Sequence, residues 1–169
     1  MAELTYRERL QPSLLDRLTD NHRDKKTESG DERVMTMAQL RAVVIRDLAW
    51  LLNTPNLAAY EDLTDYDEVR CSVLNYGVRG LTGTSSSGLD VKQLQDVIRK
   101  AIQDFEPRIL HESVRVRATV AADMGNHALV FSIDATLWAQ PAPLRLYLRT
   151  TVDLEDGSVV VSESAGQSR

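Results

Sequence analysis

The chain has 169 residues with 43% hydrophobic and 27% charged side chains, enough for one folded domain and too apolar for wholesale disorder. A net charge of -5 argues against binding along a phosphate backbone or adhering to anionic lipid, both of which need clustered cations. The single cysteine, Cys71, excludes an internal disulfide and a Cys₄ or Cys₂His₂ zinc site.

In chain order, the first signal is Pro12-Ser13 with Asp16 at the capping-box position and an apolar face of Leu14, Leu15 and Leu18. It predicts a helix of two turns within 12–19, too short to stand without packing. Residues 20–35 mix acids and bases with almost nothing to bury and read as a mobile, solvated loop. Thr36 with Gln39 forms a second capping box, and Met37, Leu40, Val43, Val44, Leu48, Leu51 and Leu52 make a helical stripe that ends at Asn53 and Pro55. Arg41, Arg46 and Asp47 fall on the other side. A third helix is expected over 65–75, with Val69, Val73 and Leu74 inward and Gly77 as its stop.

Residues 80–88 are a loop by composition and lack the lysine of a phosphate-binding loop. Asp90 and Gln93 then open the strongest helix, whose stripe runs Val91, Leu94, Val97, Ile98, Ala101, Ile102 and Phe105 before Pro107 stops it. From residue 113 the period falls to two. Val114 to Val120, Leu129 to Leu137 and Leu144 to Val152 alternate, and Val159-Val160-Val161 adds a short edge strand. The fold class is therefore α+β. About four helices in the first two-thirds pack on one face of a small, mainly antiparallel sheet of three to four strands. The whole of 1–169 is one domain, and 162–169 is expected to be a frayed tail. The edge of the last hairpin is a candidate interface, because an unpaired strand edge can accept a neighbour.

Catalytic signals are thin. His22, His111 and His127 have no metal-ligand spacing, and no GxSxG elbow is present. Cys71, inside the expected third helix, reads as a buried or half-buried thiol. Glu61, Asp62, Asp65, Asp67 and Glu68 crowd one acidic stretch, which suits a solvated helix start better than a glycoside-cleaving pair. The expectation is a non-enzymatic domain with no cofactor and no metal. The polar N-terminal residues and the absence of any run of about 20 apolar residues make a cytoplasmic protein the expectation.

Phe105-Glu106-Pro107-Arg108 stands apart. Glu106 would sit at the negative end of a helix dipole, which needs a compensating partner, and Arg108 can offer a bidentate fork. One reading is a helix stop with a local ion pair; the other is a partner-binding motif.

Four segments in order carry a family resemblance: Ser13-Leu14-Leu15-Asp16-Arg17-Leu18-Thr19, then Arg46-Asp47-Leu48-Ala49-Trp50-Leu51-Leu52-Asn53, then Val69-Arg70-Cys71-Ser72-Val73-Leu74-Asn75-Tyr76-Gly77, then Ile102-Gln103-Asp104-Phe105-Glu106-Pro107-Arg108-Ile109. Together they resemble the TssE family of type VI secretion baseplate proteins, relatives of the gene-25 wedge protein of phage T4-like tails. The resemblance implies a structural part of a contractile injection machine that binds the wedge proteins TssF and TssG, with TssK a further partner. It implies a link from the baseplate, at the inner membrane complex, to the TssB–TssC sheath. It assigns Phe105, Glu106, Pro107 and Arg108 to partner binding. Nucleic acid and membrane insertion have no part in it. A phage-tail wedge protein is the first alternative. A peptidoglycan-cleaving enzyme is the second, after the family's lysozyme-like label, although no acid and nucleophile pair stands out.

Overall fold

A computed structural model of the chain describes residues 12–19, 35–79, 91–119, 128–139 and 142–164. Among these residues four α-helices are followed by a four-stranded antiparallel sheet in the order β1-β2-β3-β4, an α+β fold. The helices are α1 (Leu14–Leu18), α2 (Met37–Asn53), α3 (Asp67–Arg70) and α4 (Val91–Phe105). The strands are β1 (Arg115–Thr119), β2 (Ala128–Leu137), β3 (Leu144–Asp153) and β4 (Val159–Glu163).

The core forms where two periodicities meet. On β2, Phe131, Ile133, Ala135 and Leu137 face the helices, opposite Thr150, Leu148, Leu146 and Leu144 of β3. Leu40, Val44, Leu48, Leu51 and Leu52 of α2 and Leu94, Ile98, Ala101 and Ile102 of α4 close over them. Thr150 is 0% exposed and its hydroxyl has no hydrogen-bond partner among the described residues.

The α2 capping box is complete. The Gln39 N–H donates to Thr36 Oγ1 at 3.2 Å and the Thr36 N–H to Gln39 Oε1 at 2.8 Å. At the far end the Asn53 amide pairs with a strand. Its Nδ2 donates to the Val159 carbonyl at 2.7 Å and its Oδ1 accepts the Val159 N–H at 2.9 Å. Arg41, near the other end of α2, bonds Glu163 at 2.8 Å. The edge proposed as an interface is thus engaged by α2 at both ends of β4. Ser162 and Glu163, expected in the tail, belong to that strand.

The expected third helix is broken. Only Asp67–Arg70 is α-helical; Cys71 leaves helical geometry, Ser72 is extended, and Val73–Asn75 forms a 3-10 turn. The Ser72 hydroxyl accepts the Leu74 N–H, and this local bond competes with helix continuation. Val73 and Leu74 are therefore 82% and 69% exposed instead of inward, and Cys71 is exposed instead of buried. The loop is tied at its base. The Val78 N–H donates to the Thr54 carbonyl at 2.9 Å and the Asn56 N–H to the Val78 carbonyl at 3.1 Å. Gly77 sits there at φ 120°, where a Cβ would lie 2.2 Å from the Thr54 oxygen.

Leu14, Leu15 and Leu18 of α1 stay exposed, and the helix buries no residue. The expected packing of its apolar face is absent within the described residues. All but Met35 of the expected loop over 20–35, the Asp90 cap, His22, His127 and the tail beyond Ser164 lie outside them.

Candidate functional site

The site starts where α4 runs out. The Glu106 N–H still donates to the Ile102 carbonyl, Pro107 follows, and the Ile109 N–H turns back to the Glu106 carbonyl at 3.1 Å. This tight turn points Glu106 and Arg108 at each other. Arg108 Nε donates to Glu106 Oε1 at 2.7 Å, Nη2 to Oε2 at 2.5 Å, and the Arg108 backbone N–H to Oε1 at 3.1 Å. The result is a bidentate fork closed by a third bond. Glu106 is only 4% exposed, while the Arg108 side chain keeps 27% of its surface.

The compensation that Glu106 requires thus comes first from its own chain, and it continues through three elements. Arg108 Nη2 also donates to Asp47 Oδ2 on α2 at 2.6 Å. Asp47 Oδ1 accepts Arg46 Nε at 2.9 Å and Nη2 at 2.7 Å. Arg46 Nη1 reaches Asp16 of α1 at 2.7 Å. Asp16 is held in turn by the Ser13 hydroxyl. Three carboxylates and two guanidinium groups alternate along this row.

The charges stabilise one another. Burial works against ionisation of Arg108, but the hydrogen bonds it donates to Glu106 and Asp47 outweigh this and raise its pKa well above the ordinary value. Burial likewise works against the Asp16 carboxylate, and the bonds from Arg46 and Ser13 pull its pKa below the ordinary 3.8. Asp16 and then Asp47 hold Arg46 charged. Burial, reinforced by the nearby Asp47 and Glu106 charges, pushes the Tyr76 phenol up.

The row forms one wall of an open cleft of about 440 Å³, whose apolar part includes Leu15, Trp50, Tyr76, Phe105 and Pro107. Tyr76 meets Phe105 edge-on at 5.4 Å, which fixes both rings beside the motif. The Arg46 guanidinium lies 4.8 Å over the half-exposed Trp50 ring. Arg108 Nη1 takes no partner among the described residues, so the motif keeps donors for an outside acceptor. Both Glu106 oxygens accept from Arg108.

All four predicted site residues, Phe105, Glu106, Pro107 and Arg108, line this one cleft. The acidic stretch does not join them: Glu61, Asp62 and Asp65, on the segment after α2, and Asp67 and Glu68, in the first turn of α3, are all exposed. Among the described residues no group of His, Cys, Asp and Glu could hold a metal ion. The sequence reading missed Asp16, Arg46 and Asp47 as members of the site. The available signal was an adjacent Arg-Asp pair in the middle of a helix, within the apolar run Ala42 to Leu52.

A family model described as baseplate wedge protein gp25 matches residues 38–142. The span covers the motif, Arg46 and Asp47, and leaves α1 outside. No curated protein and no solved structure matches the chain. No helix among the described residues is long and apolar enough to cross a membrane. The chain belongs to the family of baseplate wedge protein gp25.

Proposed function

We propose that the chain is a TssE-like structural component of a type VI secretion baseplate. It binds the wedge proteins TssF and TssG, with TssK a further partner, and links the baseplate to the TssB–TssC sheath so that sheath assembly can start. It works in the cytoplasm, on a baseplate held at the inner membrane complex. It is not an enzyme and uses no cofactor. Family membership supports the baseplate role; the four ordered segments of resemblance support the secretion-system version of it.

Phe105, Glu106, Pro107 and Arg108 form the wedge-binding motif in this reading. One observation carries it: Arg108 is locked in orientation by Glu106 and Asp47, yet 27% of its side chain stays open with Nη1 donors to spare. A guanidinium held this way docks a partner's carboxylate or carbonyl without first losing side-chain freedom. Phe105, Tyr76 and Pro107 supply a fixed apolar floor beside it.

The test is co-purification of the wedge complex. Arg108→Lys keeps the charge and loses the planar fork, so TssF and TssG should no longer co-purify, while a melt of the free variant shows a folded protein. Normal recovery of both partners would remove the motif from the interface. The family's description fits a contractile phage tail as well, and the genes beside this one separate the two readings, since tail clusters and secretion clusters encode different companions.

A further inference from the structure

Arg46 and Asp47 stand outside the motif of residues 105–108, yet they complete its geometry. Arg46 bridges Asp16 and Asp47, and Asp47 bridges Arg46 and Arg108. Each inner group of the row is shared between two partners of opposite charge. The ion pair between Asp16 and Arg46 ties α1 to α2, and Leu15, 47% exposed, lines the cleft beside it. The helix α1 buries no residue, and Leu14 and Leu18 are 72% and 75% exposed. Its seat depends on Asp16, whose side chain is only 12% exposed and so is weakly screened by salt.

Sharing has a directional consequence. With α1 seated, Arg46 spends Nη1 on Asp16, and Asp47 keeps Oδ2 for Arg108. With α1 lifted, Asp47 is the sole acid left to Arg46 among the described residues, and the guanidinium closes on it. Asp47 then holds Arg108 less firmly. The reverse path follows from the same bonds: if Arg108 leaves Asp47, Arg46 is drawn toward Asp47 and away from Asp16.

We infer that Arg46 and Asp47 are positioning residues that link the seat of α1 to the orientation of Arg108. A partner carboxylate or carbonyl that draws Arg108 off Asp47 thereby loosens α1 and frees its leucines for the same partner. By reciprocity, a surface that captures the α1 leucines makes Arg108 easier to engage. The partner's role here rests on the reading under Proposed function; the relay is a property of the free chain.

The experiment uses the full chain without partners. Amide exchange is followed at Arg17 and Thr19, whose N–H groups bond the Ser13 and Leu15 carbonyls inside α1. Arg108→Lys touches nothing on α1, yet should speed exchange at both amides about five-fold, the low end of couplings between linked sites. Arg99→Lys, which alters a surface pair with Asp96 on α4, should change neither. Asp16→Asn should in turn shift the Arg108 Nε–H resonance, and this reciprocal measurement decides the matter if Arg108→Lys does not fold. Unchanged exchange in a folded Arg108→Lys, an unmoved Arg108 resonance in Asp16→Asn, or unprotected exchange of Arg17 and Thr19 in the natural chain would each overturn the relay. If Arg108→Lys speeds α1 exchange but TssF and TssG still co-purify, the relay stands and the wedge-site reading falls. If co-purification is lost with α1 exchange unchanged, the reverse holds.

Discussion

Thr36 and Ser13 open α2 and α1 in the same way, each hydroxyl accepting the N–H three residues on. From there the two helices diverge. α2 runs 17 residues and buries five of them; α1 runs five and buries none. Five buried aliphatic side chains contribute on the order of 10 kcal/mol before entropy is counted. The ion pair that seats α1 contributes about 1 kcal/mol or less. A cap marks where a helix starts. What holds the helix in place is decided by how much apolar face its length allows. One region of this molecule is held by area, the other by the placement of charges, and only the second can be switched by a binding partner at modest cost.

The largest break in that comparison should come from the area side. Phe131 is 0% exposed at the centre of the sheet. Phe131→Ala should cost about 3–5 kcal/mol in a denaturant melt. A loss under about 1 kcal/mol would mean that the core tolerates a large cavity, against all experience of close-packed interiors.

Glu106 joins the two regimes, being both buried and charged. Glu106→Gln keeps the shape and removes the charge under Arg108, and should cost about 1–3 kcal/mol in thermal unfolding. No change in melting would place the fork with the weak surface pairs. Thr150→Val should move stability the other way, upward by about 1 kcal/mol, because it removes a buried hydroxyl that bonds nothing. A loss on that substitution would reveal a partner for the hydroxyl in solution.

The smallest global effect belongs to α1. Asp16→Asn should shift the midpoint of unfolding by no more than about 1 kcal/mol while abolishing the seat of the helix. Acid should do the same. The pKa of Asp16 is depressed by Arg46 and Ser13 in the folded chain, so its contribution is present above the ordinary 3.8 and is lost as pH falls through the lower folded value. Amide exchange across α1 at decreasing pH, compared with α4, would show release of the first before any opening of the second. Simultaneous opening of both would mean that α1 and α4 are held in the same way.

The sequence displayed the area-held region well. The stripes of α2 and α4 and the period-two strands each repeat a pattern several times, and repetition is what makes periodicity readable. It failed at 65–75, where Val69, Val73 and Leu74 keep helical spacing but Ser72 bonds its own backbone and breaks the run. For the candidate site, Phe105 to Arg108 were legible because they are adjacent. Asp47 was not assigned to it, because it meets Arg108 across 61 positions of chain and nothing local marks the meeting. Asn53 shows the same limit: as a helix end it was plain, as the partner of Val159 it was invisible.

The tie between Thr54, Asn56 and Val78 has an evolutionary consequence. Everything from Leu57 to Gly77 leaves and re-enters the fold through one neck, sewn by two backbone hydrogen bonds and a glycine that tolerates no side chain. Inside the neck, Asn75 fastens the two limbs, accepting the Ala58 N–H and donating to the Arg70 carbonyl. Such a segment behaves like a cassette. Its length and its display of Tyr60, Tyr66, Val73 and Leu74 can be rewritten between relatives while the helices and the sheet keep their packing. Two machines could therefore share this frame and differ chiefly in what is mounted on that neck.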